Sequence, residues 1–231
     1  MRVAVIRHHD EDSASFVGEA FEARGAELDV RLFPGGSSDR GSLPALDGVD
    51  HAVVLGSFWS VNDGEPWIAE ELDWLRRADA AGVPVLGVCF GAQALCVAFG
   101  GRVERMDRQE VGWMVIDTAN ADLVPAGPWL EFHADRCLPP PAARVLARSE
   151  MAVQAFSIGR HLAVQFHPEC EGAQLKRWLD GGGLEQVRSA GTDPDQFVAR
   201  TISEEPAARE RADLIVAAAL RIAAATPPRP R

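Results

Sequence analysis

The sequence is almost free of lysine: Lys176 is the only lysine among its 23 lysines and arginines, and the formal net charge is −11. A Walker P-loop needs a glycine-rich turn followed by lysine and then serine or threonine. Lys176 instead follows Ala-Gln-Leu and precedes Arg177 and Trp178, which excludes ATP use of that kind. The acidic balance argues against a nucleic-acid partner, because such binding depends on lysines and arginines that neutralise phosphates.

Long apolar runs are also missing, since none approaches the roughly 20 residues that a membrane-spanning helix needs. The four cysteines, at positions 89, 96, 137 and 170, lack the paired spacings of a zinc site or a redox C-x-x-C motif. We therefore predict no metal, no other cofactor and no disulfide framework. A strand begins at Arg2 with no visible secretory segment before it, and we expect a cytosolic location.

A chain of 231 residues, with 47% hydrophobic and 25% charged residues, is long enough for one sizeable core. We predict a single domain over 1–231. Its first hundred residues follow the order β-α-β-(loop)-β-α-β-α, with buried strands predicted at 2–7, 28–33, 51–55 and 83–88. This order predicts an α/β fold with a doubly wound, mostly parallel sheet of the flavodoxin-like type.

After Gly101 the pattern changes to short strands with little helix between them, predicted at 103–106, 112–116, 153–157 and 162–166. These would form a small antiparallel extension of the sheet. The residues from Glu171 onward have helical patterning, and we predict a helical C-terminal extension of the same domain over 172–224. The proline-rich end, 225–231, is predicted to be a disordered tail.

The most informative segment is 87–93, Gly-Val-Cys-Phe-Gly-Ala-Gln, where Cys89 stands between an apolar strand and a helix. A residue at such a junction lies on a strained turn with its side chain exposed above the sheet, as in a nucleophile elbow. The helix start favours negative charge and stabilises a thiolate. The alternative is a buried core thiol, the commoner fate of a free cysteine. Glycines on both sides favour the nucleophile.

A base for this cysteine is predicted at the end of another strand, where residues 165–169 read Gln-Phe-His-Pro-Glu. The proline halts strand pairing and leaves His167 and Glu169 free of the sheet edge. Residues two apart on an extended chain point the same way, so Glu169 can orient one nitrogen of His167 while the other faces the thiol. Cys89, His167 and Glu169 would then act as nucleophile, base and orienting acid.

Together these two motifs, 78 residues apart from cysteine to histidine, resemble the class I (triad-type) glutamine amidotransferases. The similarity covers about residues 1–172 and is greatest to free-standing members related to the amidotransferase domain of GMP synthase. The resemblance implies hydrolysis of the glutamine side-chain amide through a γ-glutamyl thioester on Cys89. It also implies a separate synthetase or ligase as the partner that accepts the ammonia.

The resemblance further implies an oxyanion hole formed by backbone N–H groups. One is expected from Phe90 and another from Gly56 or Ser57, since the family commonly has a second glycine where Ser57 stands. Gln93 matches a position that helps to hold the substrate.

Residues 132–135, Phe-His-Ala-Asp, resemble a substrate-contacting Ser-His-Gly-Asp segment of the family. This likeness places His133 and Ala134 among the expected substrate contacts, with a surface loop as the alternative for His133. Phe132 and Ala134 are bulkier than the family residues and would reshape the pocket for the amino acid end of the substrate.

Two other functions stay open at this point. The same triad would serve a γ-glutamyl peptidase or hydrolase that releases an amine or a peptide, and the same fold would serve a non-catalytic binding protein. His8 and His9 have no ligand-spaced carboxylates and are interpreted as loop residues or as residues at the mouth of the site.

Overall fold

The computed structural model describes residues 1–34 and 41–227. The loop predicted between the strands at 28–33 and 51–55 therefore lies partly outside the described residues, as do residues 228–231 of the predicted tail. The described chain contains ten strands: β1 (Arg2–Arg7), β2 (Glu27–Leu32), β3 (His51–Val54), β4 (Val85–Val88), β5 (Arg102–Met114), β6 (Asp117–Thr118), β7 (Trp129–Leu138), β8 (Arg144–Arg148), β9 (Val153–Ile158) and β10 (His161–Val164). Six α-helices accompany them: α1 (Ser15–Glu22), α2 (Pro66–Ala80), α3 (Phe90–Ala98), α4 (Gly172–Trp178), α5 (Leu184–Ser189) and α6 (Pro194–Ala225).

Eight of the strands form one mixed sheet in the order β2-β1-β3-β4-β10-β9-β8-β6. The pairs β2-β1, β1-β3, β3-β4 and β4-β10 are parallel, and β9, β8 and β6 continue the sheet in antiparallel fashion. The predicted doubly wound, mostly parallel sheet with an antiparallel extension is thus confirmed.

A second sheet consists of β5 and β7 alone, paired antiparallel with a bulge between Arg105 and Glu110. The two short strands predicted at 103–106 and 112–116 are one long strand, β5. The sequence analysis did not predict β7 or β8. Polar residues at 131, 133, 135 and 136 interrupt the apolar pattern of β7, so the strand could not be predicted from alternation. Three of them, Glu131, His133 and Asp135, are buried by tertiary contacts that a local pattern does not reveal.

The parallel strands are buried on both faces, so consecutive residues alternate between two apolar cores. Val3 and Val5 face the layer that contains α1 and α6, whereas Ala4 and Ile6 face the layer that contains α2 and α3. Gly91, at the start of α3, permits the close approach of helix and sheet: a Cβ there would lie 2.2 Å from the Val54 carbonyl oxygen.

The chain after Glu171 is helical, and the last helix, α6, runs for 32 residues and packs against α1. Between α4 and α5 lies a kinked π-helical turn, 179–183, in which Gly182 has a φ of 121°. Helix α6 includes Ala225, the first residue of the predicted tail. Across the described residues, no helix combines the length and apolar character that crossing a membrane requires.

Candidate active site

A cavity of about 220 Å³ opens at the carboxyl ends of the parallel strands, the edge where open α/β sheets bind their ligands. Strands β1, β3, β4 and β10 all end there. The cavity is lined by residues from these strand ends, from β5 and β7 and from the C-terminal helices: Asp12, Gly56, Ser57, Phe58, Trp59, Ser60, Cys89, Phe90, Gln93, Arg105, Phe132, His133, Ala134, Asp135, His167, Trp178 and Gln186.

Cys89 occupies the turn between β4 and α3 in a backbone conformation that L-residues rarely adopt, with φ of 51° and ψ of −105°. Its N–H donates to the carbonyl of Val164 at 2.8 Å, and the N–H of Gly91 donates to the carbonyl of Leu55 at 3.2 Å. These bonds tie the turn to β10 and to the end of β3. The strained strand-to-helix turn expected from the sequence is therefore present. The Cys89 side chain lines the cavity but is largely buried, and not exposed as expected.

His167 lies beside Cys89, just beyond the end of β10. Its Nδ1 is 2.8 Å from Oε1 of Glu169, and its backbone N–H donates to the carbonyl of Leu130 at 2.9 Å. Because a carboxylate only accepts, Nδ1 carries the proton and Nε2 is left for the thiol. Glu169 is buried behind the imidazole and does not line the cavity. The structure thus brings the three predicted residues together, with His167 between Cys89 and Glu169.

The charge state of His167 is set by its acidic and thiol neighbours. Burial lowers the pKa of His167, but the charge of Glu169, together with the charge of Cys89 and hydrogen bonds to both, raises it well above its ordinary value. An imidazolium beside a thiolate is the arrangement that activates a nucleophilic cysteine.

Two residues that the sequence analysis did not assign to the site, Trp178 and Asp12, line the cavity near His167. The Trp178 ring packs edge-on against the imidazole at 4.8 Å between ring centroids. Its indole N–H donates to Asp12 at 3.0 Å, and burial raises the pKa of that carboxyl. The position of Trp178 on α4 shows that the C-terminal helices form one wall of the cavity.

The predicted oxyanion residues surround the thiol. A Cβ on Gly56 would lie 2.9 Å from Cε1 of His167, so only glycine leaves the His167 imidazole in place. Ser57 and Phe90 line the same cavity. The N–H of Phe90 belongs to the first turn of α3, where N–H groups have no partner within the helix.

Of the expected substrate contacts, Gln93 and Ala134 both line the cavity. The Gln93 amide N–H donates to Oε1 of Gln165 at 3.4 Å, which orients its side chain within α3. Phe132 reaches the cavity from β7, and its ring stacks on Trp178 with centroids 6.1 Å apart. A Cβ on Gly183 would meet this ring at 2.9 Å, so the glycine-rich turn packs directly against it.

His133 lies on a buried strand and not in a surface loop. Its Nδ1 donates to the carbonyl of Asp135 at 2.9 Å, and its Nε2 is 3.1 Å from Glu131 and 3.2 Å from Glu110. Both ring nitrogens are therefore engaged by the protein. Burial lowers the pKa of His133, but hydrogen bonds to both glutamates and the charge of Glu131 raise it to about 10. His133 borders the cavity as a buried imidazolium.

We expect nuclear magnetic resonance of the histidine-labelled protein to show the His133 imidazolium at pH 8. Its pKa of about 10 implies stabilisation that is fully present below pH ~6.5, the unfolded value, and is lost as the pH rises through about 10. His51 is the internal control, because burial lowers its pKa to about 4 and it should remain neutral above pH 5. The His133→Gln spectrum assigns the signal. A neutral His133 at pH 8 would contradict the ion-pair arrangement.

The adjacent histidines after β1 differ in their surroundings. His8 is buried, with its ring nitrogens 2.8 Å from the Gly56 carbonyl and 3.0 Å from Glu71, whereas His9 is partly exposed and pairs with Glu11. The sequence signal that could have indicated a role for His8 is its position, as a polar residue directly after a parallel strand. No signal indicated that Glu71, on α2, would be its partner. Among the described residues, no group of three or more histidines, cysteines, aspartates and glutamates could hold a metal ion.

The comparisons with known protein families and with related sequences agree with one another. The family model described as glutamine amidotransferase class-I matches residues 15–179. The GMP synthase [glutamine-hydrolyzing] of Thermus thermophilus is 34% identical over 123 residues, which cover 48% of this chain and 24% of that enzyme. Gamma-glutamyl peptidase 2 of Arabidopsis thaliana is 31% identical over 137 residues, covering 54% of this chain and 55% of the peptidase. The chain thus spans about a quarter of the synthase and about half of the peptidase.

Solved structures agree on the fold. A glutamine amidotransferase from Thermotoga maritima superposes with a TM-score of 0.83 at 22% identity, covering 96% of this chain and 98% of that one. One from Methylobacillus flagellatus also gives 0.83 at 22% identity, covering 100% of this chain and 97% of that one. Since the family model matches most of the chain and both structures share its fold, this protein belongs to the class-I glutamine amidotransferase family.

Proposed function

We propose that this protein is a cytosolic glutaminase that hydrolyses the side-chain amide of glutamine through a γ-glutamyl thioester on Cys89. The observation that carries the proposal is the strained turn at Cys89 facing His167, whose other nitrogen is 2.8 Å from Glu169. Family membership and the similarity to glutamine-hydrolysing GMP synthases support the same reaction class.

In the first half-reaction the Cys89 thiolate attacks the side-chain carbonyl carbon of glutamine, and a C–S bond forms. The carbonyl oxygen becomes an oxyanion, which the N–H of Phe90 and one from the Gly56–Ser57 loop would stabilise. His167 then gives its Nε2 proton to the leaving nitrogen. The C–N bond breaks, ammonia departs, and the γ-glutamyl group stays on Cys89 as a thioester.

In the second half-reaction His167, now neutral, accepts a proton from water as the water oxygen attacks the thioester. The second tetrahedral intermediate uses the same oxyanion donors. Its collapse breaks the C–S bond, releases glutamate and restores the thiolate and imidazolium. Glu169 keeps Nδ1 protonated throughout and stabilises the cationic ring without taking its proton.

The ammonia is proposed to pass to a separate synthetase or ligase. The relatives named as GMP synthases carry a much longer chain, of which this protein matches about a quarter. No Walker-type lysine occurs in the sequence to activate an acceptor with ATP. An assay of ammonia and glutamate release from glutamine, with and without a candidate synthetase, tests the proposal. Absence of both products in both conditions would overturn it.

A γ-glutamyl peptidase is the second candidate, favoured by the 31% identity to gamma-glutamyl peptidase 2. Glutamine and γ-glutamyl peptides share the same amino acid end and differ in the leaving group. A comparison of kcat/KM for glutamine and for γ-glutamylglycine therefore decides between the two candidates. A higher value for the dipeptide would assign the protein to the peptidases.

We expect Phe132→Ser to raise KM about tenfold for both substrates with little change in kcat. The ring lies where the shared amino acid end is expected, and losing its contact with substrate methylenes removes binding of roughly 1–2 kcal/mol in ground and transition states alike. The control is Phe99→Ser, which removes a ring stacked on His161 outside the cavity. A KM change for only one substrate would place Phe132 at the leaving group instead.

A further inference from the structure

A buried ion pair lies directly behind the Gly56–Ser57 loop. His8 follows β1 and Glu71 lies on α2, and their side chains are 0% and 1% exposed. Nε2 of His8 is 3.0 Å from Glu71 Oε2, and Nδ1 is 2.8 Å from the carbonyl oxygen of Gly56. Nδ1 donates to Gly56, because a carbonyl oxygen only accepts hydrogen bonds.

The bond from His8 fixes the direction of the neighbouring N–H. The Gly56 carbonyl and the Ser57 N–H belong to one peptide, which is trans, so the two groups point in opposite directions. With the carbonyl held toward His8, the Ser57 N–H is turned away from His8. Among the described residues no acceptor takes this N–H, and Ser57 lines the cavity that contains Cys89 and His167.

The same imidazole also contacts the second expected donor. The His8 ring packs edge-on against Phe90, with 4.8 Å between ring centroids, and lies 5.5 Å from the Trp67 ring. His8 is therefore enclosed on two sides and anchored by Glu71 at Nε2. A side chain held in this way has little freedom to let the peptide rotate.

Stability alone gives a poor reason for this pair. Removing two charges from water costs several kcal/mol per ion, and apolar residues of similar volume often serve a core equally well. The neighbours of Glu71 on the inner face of α2 are apolar, including Trp67, Ile68, Trp74 and Leu75. The carboxylate of Glu71 is better explained by its contact with Nε2 of His8, which holds the imidazole in place.

We propose that His8 and Glu71 are positioning residues that hold the Gly56–Ser57 peptide with the Ser57 N–H aimed at the oxyanion formed over Cys89. This inference rests on the proposed function and refines it, since it selects Ser57 over Gly56 as the donor. Neither residue lines the cavity, so neither is expected to touch the substrate. Their contribution therefore arises only when negative charge develops in the transition state.

The test compares His8→Leu with the parent in hydrolysis of glutamine and γ-glutamylglycine. Removing one oxyanion donor costs about 10²–10³ in kcat, and a donor that is merely released to rotate is expected to cost about 10–100-fold. KM should stay within about threefold, because ground-state binding does not use this donor. His8→Asn, whose amide nitrogen can replace Nδ1 as a donor, should recover kcat to within about fivefold of the parent.

Alkylation of Cys89 by iodoacetamide separates positioning from misfolding. This displacement forms no oxyanion, so its rate should be the same in the parent and in His8→Leu while hydrolysis falls. The matched control is His161→Leu, which breaks a similar buried pair with Asp79 on the same helix, remote from the cavity. It should keep the parent kcat. If His8→Leu does not fold, Glu71→Leu replaces it in the test, because it removes the partner that anchors His8. We expect Glu71→Leu to lower kcat at least about fivefold.

The inference is overturned if folded His8→Leu or Glu71→Leu keeps the parent kcat, or if His8→Asn is as impaired as His8→Leu. A parent protein that hydrolyses neither substrate would overturn the proposed function and this inference with it. An active parent whose variants are equally active overturns the inference alone.

Discussion

Replacing Cys89 with alanine is expected to abolish hydrolysis of glutamine, with a fall in kcat on the order of 10⁶, as for removal of the nucleophile from a catalytic triad. The strained turn, with a φ of 51°, presents this thiol to the cavity beside His167. No other described cysteine lines that cavity. Without the thiol no thioester forms, and only binding and the oxyanion donors remain.

The matched control is Cys96→Ala, which removes a buried thiol from the core side of α3, the helix that follows Cys89. It should keep most of the parent activity. Mass spectrometry of acid-quenched reactions should detect a γ-glutamyl adduct on the parent and on Cys96→Ala, and none on Cys89→Ala. If Cys89→Ala behaves like the parent in every assay, the protein is a binding protein that retains the fold without turnover.

Changing Glu169 to glutamine is expected to lower kcat by about 10³–10⁴-fold, as observed when the orienting acid of a triad becomes an amide. The carboxylate accepts from Nδ1 of His167 at 2.8 Å. Its charge is a main cause of the raised His167 pKa. A neutral amide would no longer select the Nδ1–H tautomer or stabilise the imidazolium.

The pH profile gives this variant a distinct signature. The thiolate–imidazolium form disappears when His167 loses its proton, so the alkaline limb of kcat/KM reports the pKa of that imidazole. Loss of the Glu169 charge lowers this pKa, and the limb should move to lower pH. Glu171→Gln, two residues further along, is the control and should leave the limb in place. An unmoved limb in Glu169→Gln would exclude Glu169 as the group that stabilises the imidazolium.

The sequence was most informative where a function depends on local geometry. An apolar strand that runs into a helix through Gly-Val-Cys-Phe-Gly fixes the conformation of Cys89. In a second segment, His-Pro-Glu, the short spacing brings Glu169 to His167. The parallel strand order places both strand ends at one edge of the sheet. These features require only neighbouring residues and a general rule of topology, and for that reason they could be predicted.

The surroundings of His133 illustrate what local reasoning could not predict. The segment 132–135 was compared with a substrate-contacting motif, with a surface loop as the alternative for His133, and the structure places this residue on a buried strand. Both nitrogens of His133 are engaged, by Asp135 and by carboxylates on β5 and β7. The pairing of β5 with β7 creates this buried cluster, and a pattern of alternating polarity cannot show which polar residues face one another across strands.

The amino-acid sequence by itself determined the order of strands and helices over the first hundred residues, the strained turn at Cys89 and the pairing of His167 with Glu169, because periodicity, glycine and proline act over a few residues. The tertiary structure alone decided which distant polar groups meet: Glu71 at His8, 63 residues away, and Asp12 at Trp178, 166 residues away. Such contacts depend on how helices pack across the sheet. Their free energy comes from burial that is established only when the whole core forms.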